Sequence, residues 1–392
     1  MSDRPRLLYV ITHGMSARHL LEGQLAWMTE KGFDVAVACA PGPDLETTAE
    51  REGVKAIPIP ILREIALVSD LRSLAALVNV MRRWRPDIVN AGTPKAGLLA
   101  MLAARIVGVP ARLYTLHGLR LETASGSKGA VLKTMEKLAA ACAQEILAVS
   151  PSLARRYVEL RLAPDRKVRV LESGSCNGVQ FERFAQPEVE ATEALRERIG
   201  LPEEVPVIGF VGRFTRDKGI AELVESFERV RATVPQTRLL LVGEFEAGDP
   251  VPEATAEIIR SHPAIAQTGF LNDTAPAYAL MDVLAFPSYR EGFGNVTIEA
   301  GAAGLPVVGF RATGTVDAVV NGETGALVAV GDVESLAAHL VRYLTEADRR
   351  RAHGRAGQER ARRDFQPERV WTALRDEFDR LLTEAGLPTS RG

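Results

Sequence analysis

Val283-Leu-Ala-Phe-Pro-Ser-Tyr-Arg-Glu-Gly-Phe-Gly-Asn-Val-Thr-Ile-Glu299 is the stretch that decides the fold. Its apolar run, Val283 to Phe286, stops at Pro287 and reads as a short buried strand. A loop holding Gly292 and Gly294 follows, and Asn295 opens a helical pattern that runs through Ala303. Strand, loop and helix in that order make one step of a parallel α/β sheet. At such a helix start the N–H groups of Gly294, Asn295 and Val296 lack helical partners and can hold an anion or a sugar hydroxyl. Helical side chains lean toward the N-terminus, so Glu299 points back toward the loop carrying Glu291. With a rise of 1.5 Å per residue, the two carboxylates lie on the order of 10 Å apart. That is too far for one proton shuttle but suits the two ends of a nucleotide sugar. Taken alone, the two glutamates read as surface charges.

Outward from this step, apolar runs alternate with amphipathic helical patterns along the chain, which argues for doubly wound parallel sheets. Strands are expected at 7–11, 34–38, 56–61, 87–90, 112–116, 145–149 and 167–171 in a first sheet. A second sheet takes 205–211, 237–242, 264–268, 283–286 and 306–309. The first helix is expected from Ser16 to Glu30, and another from Asp70 to Trp84. Between Asn177 and Glu204 the strand pattern lapses amid Pro187, Pro202 and many charges, which marks a linker. The expected division is 1–183, 184–365 and a C-terminal helical segment in 366–392.

At 392 residues, 46% of them hydrophobic and 25% charged, the chain has the composition of a soluble globular protein with two full cores. Cys39, Cys142 and Cys176 are widely spaced, which argues for a reducing cytoplasm and against a zinc site or disulfide framework. No secretory leader is expected, and the most apolar stretch, 96–110, is interrupted by Arg105 and too short to span a bilayer. The net charge of −2 hides an asymmetry: +7 through Arg183 and −9 beyond it. The halves are therefore expected to meet different partners. Dense basic clusters with interleaved aromatics are missing, so nucleic acid is not an expected partner.

Open parallel sheets bind ligands outside the carboxyl ends of their strands. The unusual polar motifs fall there: His13-Gly14, His117-Gly118, Gly212-Arg213, Gly243-Glu244 and Glu291. Gly212-Arg-Phe-Thr-Arg-Asp-Lys-Gly219 follows a strand and opens a helix. Arg213 offers a fork matched to phosphate oxygens and Lys218 a mobile point charge. Together they can neutralise a diphosphate without a metal, and no Asp-x-Asp occurs in the chain. No Gly-x-Gly-x-x-Gly follows any strand, which counts against a dinucleotide cofactor. By itself His117 reads as a hydrogen-bonded structural histidine, and Gly14 as a tight turn.

Glu291-Gly-Phe-Gly-Asn-Val-Thr-Ile-Glu299, with Gly304-Leu-Pro-Val-Val308, Gly322-Glu-Thr-Gly325 and the Arg213/Lys218 motif, closely resembles the retaining GT-B glycosyltransferases of family GT4. The resemblance spans nearly the whole chain. It implies the GT-B fold, α/β, with two Rossmann-like doubly wound parallel-sheet domains facing a central cleft: 1–183 on the acceptor side, 184–365 binding the nucleotide sugar, and a C-terminal helix in 366–392 crossing back to the first. It also implies that Glu291 meets the donor sugar, Glu299 holds the ribose hydroxyls, and Arg213 and Lys218 grip the diphosphate. His117 would contact the sugar without acting as general base, because in a retaining reaction the departing phosphate can take the acceptor proton. Gly14, Gly212, Gly243, Glu244, Phe270, Leu271, Gly292, Phe293, Gly294 and Asn295 complete the implied donor site. Gly243-Glu-Phe-Glu246 departs from the family's Gly-Asp/Glu-Gly-Pro and leaves the role of Glu244 open. Gly269-Phe-Leu-Asn272 matches the segment flanking the nucleobase but does not settle uridine against guanosine.

Lys95 and Arg120 are the acceptor-side candidates, and the pattern from Lys128 to Lys137 shows a basic face beside Val131, Leu132, Met135 and Leu138. Such a helix can lie on an anionic membrane surface or simply cover a core. Thr93-Pro-Lys-Ala-Gly-Leu-Leu99 and Gly174-Ser-Cys-Asn-Gly-Val179 contribute a resemblance to bacterial enzymes that extend polyprenyl-diphosphate-linked glycans. The expected activity is metal-independent transfer, with retention, from a nucleoside-diphosphate sugar, UDP-linked in the first instance, to a glycan acceptor in envelope polysaccharide synthesis. Neither cofactor nor metal is expected, and the expected location is cytoplasmic, at the inner face of the plasma membrane. Two other readings remain open: a sugar-nucleotide 2-epimerase of the same fold, and a non-catalytic nucleotide-sugar-binding subunit.

Overall fold

The computed structural model describes residues 4–62, 66–124 and 126–391. The chain divides into two compact units, Met1–Asn177 with Pro367–Gly392, and Gly178–Gln366.

Unit 1 holds a seven-stranded sheet in the order β3-β2-β1-β4-β5-β6-β7. Its strands are β1 (Arg6–Val10), β2 (Asp34–Cys39), β3 (Lys55–Pro58), β4 (Ile88–Gly92), β5 (Ala111–Leu116), β6 (Glu145–Ala148) and β7 (Val168–Arg169). Every pairing is parallel. Strands buried on both faces explain the continuous apolar runs, such as the fully buried Ile88-Val-Asn-Ala-Gly92 of β4. Leu7, Tyr9 and Ile11 enter one core with Leu25, Met28, Val370, Leu374 and Phe378. On the other face, helices Leu67–Trp84, Pro94–Val107 and Gly126–Cys142 pack side by side in that order.

The C-terminal helix, Pro367–Glu384, is a structural member of unit 1. Phe378 meets the rings of Tyr9 and Phe33 at 6.3 and 5.9 Å. The Trp371 indole donates to Asn177 Oδ1 at 2.6 Å.

Unit 2 has six parallel strands in the order β10-β9-β8-β11-β12-β13. They are β8 (Val207–Val211), β9 (Arg238–Val242), β10 (Ile265–Gln267), β11 (Val283–Phe286), β12 (Val307–Phe310) and β13 (Gly325–Val328). In each unit the order reverses beside the first strand, between β1 and β4 and between β8 and β11. That crevice is where open α/β sheets seat their ligands.

Three expectations are corrected. The first helix is two, Gly14–Leu20 and Gln24–Glu30. Gly23 breaks it with φ of 75°. A Cβ there would lie 2.8 Å from the Trp371 ring, so a glycine lets the C-terminal helix pack close. Strand β13 was not anticipated, because Gly325 and Ala326 dilute its apolar run. Residues 178–183 belong to unit 2 rather than to the first domain: the Val179 amide donates to Phe365 O at 2.7 Å and Arg183 pairs with Asp273 at 2.9 Å.

Candidate active site

In unit 2 the loop after β8 and the loop after β11 meet at the strand-order reversal. Gly219, at φ of 69°, ends the first loop, and a Cβ there would fall 2.1 Å from Pro287 O of the second. The Tyr289 amide donates to Asp217 O at 2.9 Å. Side chains join the same loops: the Lys218 ammonium pairs with Glu291 Oε1, and Arg290 Nη2 donates to Asp217 Oδ2 at 2.5 Å. Lys218 and Glu291 therefore come together, as a half-buried ion pair at the carboxyl edge of the sheet.

Neighbouring loops support this pair. The Glu291 amide donates to Thr313 O at 3.0 Å. Gly314 lies so close to Gly292 that a Cβ would stand 2.8 Å from its carbonyl. Arg213, more than half exposed, pairs with Glu246 in the loop after β9. That loop is zipped to the first, with Phe214 N donating to Glu244 O at 2.7 Å and Arg216 N to Asp249 O at 3.1 Å. Gly243 needs its φ of 133°, and a Cβ would strike Gly212 O at 2.0 Å. Glu244 is exposed, with Oε1 accepting a 3.4 Å bond from Phe270 N. Phe270 is 47% exposed, an apolar residue at the strand edge beside the partly buried Leu271.

Gly294, at φ of 89°, caps the eight-residue helix Asn295–Ala302. Phe293 is buried against Phe365 at 5.2 Å, so it shapes the loop from behind. Glu299 accepts from the Tyr278 hydroxyl at 2.8 Å, and the same hydroxyl donates to Val296 O at 3.2 Å. Glu291 and Glu299 thus have separate partners, a cation and a neutral phenol.

Four charged positions went unread in the sequence: Asp217, Arg290, Glu246 and Asp249. A signal existed for the first two. Asp217-Lys218 and Arg290-Glu291 are acid–base and base–acid neighbours on loops that a parallel sheet makes adjacent. Burial pushes the Asp217 carboxyl up, but the Thr215 hydroxyl, then Arg290, Lys218 and Arg213, outweigh it and leave it below its ordinary range.

In unit 1 the corresponding edge carries His117, at the end of β5. Its ring lies against the backbone of Gly92, where a Cβ would be 2.4 Å from Nε2. Burial lowers its pKa to about 4, so the imidazole is neutral near pH 7. Beside it a cavity of about 30 Å³ is lined in part by Tyr9, Asn90, Thr115, Ser175 and Cys176. Thr93 holds an unusual φ of 69° for a β-branched residue and shares a 2.7 Å hydroxyl bond with Thr12.

Lys95, Gly14 and Arg120 are the remaining unit 1 candidates. Lys95 is buried and its ammonium is 2.5 Å from Asp70, so it ties helix Pro94–Val107 to helix Leu67–Trp84 rather than facing solvent. Gly14 is buried, and a Cβ would be 2.7 Å from Asp44 Cβ, so the close approach of helix Pro43–Glu52 favours a glycine there. Arg120 is exposed on the turn Arg120–Thr123. Among the described residues no group of three or more His, Cys, Asp or Glu side chains is placed to share a metal ion.

Comparison with known proteins supplies the family. Residues 205–346 match the model for "Glycosyl transferases group 1", and residues 17–174 match the "Glycosyl transferase 4-like domain". The capsular polysaccharide biosynthesis glycosyltransferase CapM of Staphylococcus aureus is 37% identical over 366 residues, 93% of this chain and 95% of that protein. The Escherichia coli UDP-Gal:α-D-GlcNAc-diphosphoundecaprenol α-1,3-galactosyltransferase is 27% identical over 79% of this chain and 80% of its own length. In three dimensions, Anabaena HepE, solved in complex with UDP and glucose, matches at a TM-score of 0.79 and 20% identity, covering 95% of this chain and 98% of its own. With the two parallel sheets and the charged loops at the reversal in unit 2, these matches establish that the chain belongs to the GT4-like family of GT-B glycosyltransferases.

Proposed function

We propose that this glycosyltransferase moves a sugar from a nucleoside-diphosphate donor, UDP-linked in the first instance, to a glycan carried on a lipid diphosphate in envelope polysaccharide synthesis. The observation that carries this reading is the Lys218–Glu291 pair at the strand-order reversal of unit 2. A cation beside a carboxylate is what a sugar diphosphate needs: Lys218 and Arg213 take the diphosphate charge, and Glu291 orients the sugar hydroxyls. Glu299 holds the ribose and the Phe270 face receives the base. The bond from the anomeric carbon to the diphosphate oxygen breaks as the acceptor oxygen attacks from the same face. The departing phosphate oxygen takes the acceptor proton. Two protein cations serve the leaving group here, and no resident metal is part of the proposal. At a pKa of about 4 the His117 imidazole is a weak base, which suits a hydrogen-bonding role on a sugar hydroxyl.

Two relatives bear on the acceptor by name, one in capsular polysaccharide biosynthesis and one acting on a diphosphoundecaprenol glycan. A surface of unit 1 suits such an acceptor. Leu67, Val68 and Leu71 are exposed on the first turns of helix Leu67–Trp84, Leu67 by 76%. Two helices further along the same layer, beyond Pro94–Val107, Lys128, Lys133 and Lys137 are exposed beside Val131 and Leu138. Apolar side chains flanked by lysines fit a peripheral contact with anionic lipid. No helix of the described residues is long and apolar enough to cross a membrane.

The deciding experiment is donor turnover over a panel of UDP- and GDP-sugars, with and without EDTA and with retention read by NMR of the product. Turnover of a UDP-sugar in chelator, with retained configuration, is the expected result. Activity restored only by a divalent ion would overturn the metal-free part, and an inverted product the stereochemical part.

A further inference from the structure

We propose that Asp217, together with Arg290, is the positioning hub of the donor site, setting the register between the loop that carries Lys218 and the loop that carries Glu291. The inference rests on the donor reading above and adds residues that touch no substrate in it. Asp217 uses every polar group it has. Its amide donates to Asp249 Oδ2 at 3.0 Å, and its carbonyl accepts from Tyr289 N at 2.9 Å. Its carboxylate accepts from Thr215 Oγ1 at 2.7 Å and from Arg290 Nη2 at 2.5 Å. One residue thereby ties the loops after β8, β9 and β11. Those loops hold Arg213 and Lys218, Glu244 and Glu246, and Glu291.

The charge order makes the register unique. Asp217-Lys218 faces Arg290-Glu291, so two ion pairs of opposite sense cross between the loops. A slip of one residue would set Lys218 against Arg290 or Asp217 against Glu291, like against like. The two pairs also differ in duty. When a diphosphate arrives, it competes with Glu291 for Lys218 and loosens that link. Asp217–Arg290 has no such competitor and keeps the loops in place. With side-chain exposures of 13% and 21%, this pair is only weakly screened by salt.

The test compares wild type with Asp217→Asn, Arg290→Gln, the double variant and Arg290→Lys. Two readouts are used: UDP affinity by calorimetry, and amide hydrogen exchange of the 287–294 segment without ligand. Each single variant is expected to weaken UDP binding about tenfold, and the double variant no further, because the two residues act as one unit. Arg290→Lys should recover part of the loss. Exchange in 287–294 should quicken in the Asn and Gln variants while helix Ile220–Thr233 stays protected. Additive losses, or unchanged exchange and unchanged UDP affinity in folded Asp217→Asn, would overturn the hub. Should Asp217→Asn not fold, Thr215→Val removes one bond to the same carboxylate and is expected to give the same pattern at roughly threefold. If wild type binds no nucleoside diphosphate, the donor reading falls, and the exchange measurement alone decides whether the staple exists.

Discussion

Replacing Glu136 by Gln tests the electrostatics of unit 1 directly. The residue lies on the inner side of helix Gly126–Cys142 and is 6% exposed. Its Oε2 accepts from the Tyr114 hydroxyl at 3.2 Å and from the Tyr157 hydroxyl at 3.1 Å. Burial outweighs both bonds and raises its pKa from 4.5 to about 7. The folded protein therefore holds a proton that the unfolded chain releases above about pH 4.5. The contribution of Glu136 to stability is highest below that value, falls as pH rises toward 7, and is flat beyond. At 1.36 kcal/mol per pH unit the gap corresponds to about 3 kcal/mol. Glutamine carries no charge at any pH, so Glu136→Gln should abolish this slope. At pH 8 it is expected to match or exceed wild type, by up to about 3 kcal/mol less the poorer amide–phenol bonds. At pH 5 it should be equal or slightly less stable. His117 works in the opposite sense: its pKa falls from 6.5 to about 4, so its cost appears as pH drops below 6.5. Comparing the variant with wild type at each pH cancels that contribution. The three tryptophans, Trp27, Trp84 and Trp371, all lie in unit 1, so urea unfolding followed by their fluorescence reads this unit. Parallel stability profiles for the two proteins from pH 5 to 8 would show that Glu136 is ionised in the fold, and the reasoning would fail.

Three other measurements bear on the site. Gly92→Ala should push the His117 ring from its place, costing about 1–3 kcal/mol of stability in the tryptophan signal and at least about tenfold in turnover, with UDP affinity unchanged; normal turnover would remove His117 from the mechanism. Glu299→Ala should weaken UDP binding roughly tenfold to a hundredfold, whereas Glu291→Ala should chiefly lower kcat; normal UDP affinity in the Glu299 variant would refute the ribose assignment. Sedimentation with anionic vesicles should show binding that salt weakens and that Lys128/Lys133/Lys137→Glu reduces at least about a hundredfold, at about 1 kcal/mol per lysine. Equal, negligible binding to anionic and neutral vesicles would remove the membrane surface.

Much of this protein was legible in its sequence, because its strands are buried on both faces and so read as short apolar runs ending in glycine, proline or a charged loop. The alternation from Arg6 to Phe310, the break near residue 177 and the positions of Arg213, Lys218, Glu291 and Glu299 follow from that pattern and the family motifs. What a linear reading could not supply was partnership. Lys95 reads as an acceptor-side cation at a helix start, and only the packing of two helices brings Asp70 to its ammonium. Gly14 by itself reads as a tight turn, and only the fold brings Asp44 within 2.7 Å of where its Cβ would stand. Whether Ser16–Glu30 is one helix or two depends on Trp371, which lies more than three hundred residues away and fills the space over Gly23. Asp217 and Arg290 were ordinary loop charges until β8 paired with β11 and set them 2.5 Å apart. Periodicity and turn chemistry are local and survive in one dimension. Counter-ions, buried pKa values and glycine clearances depend on which distant segments share a sheet edge, and the tertiary structure alone decides that.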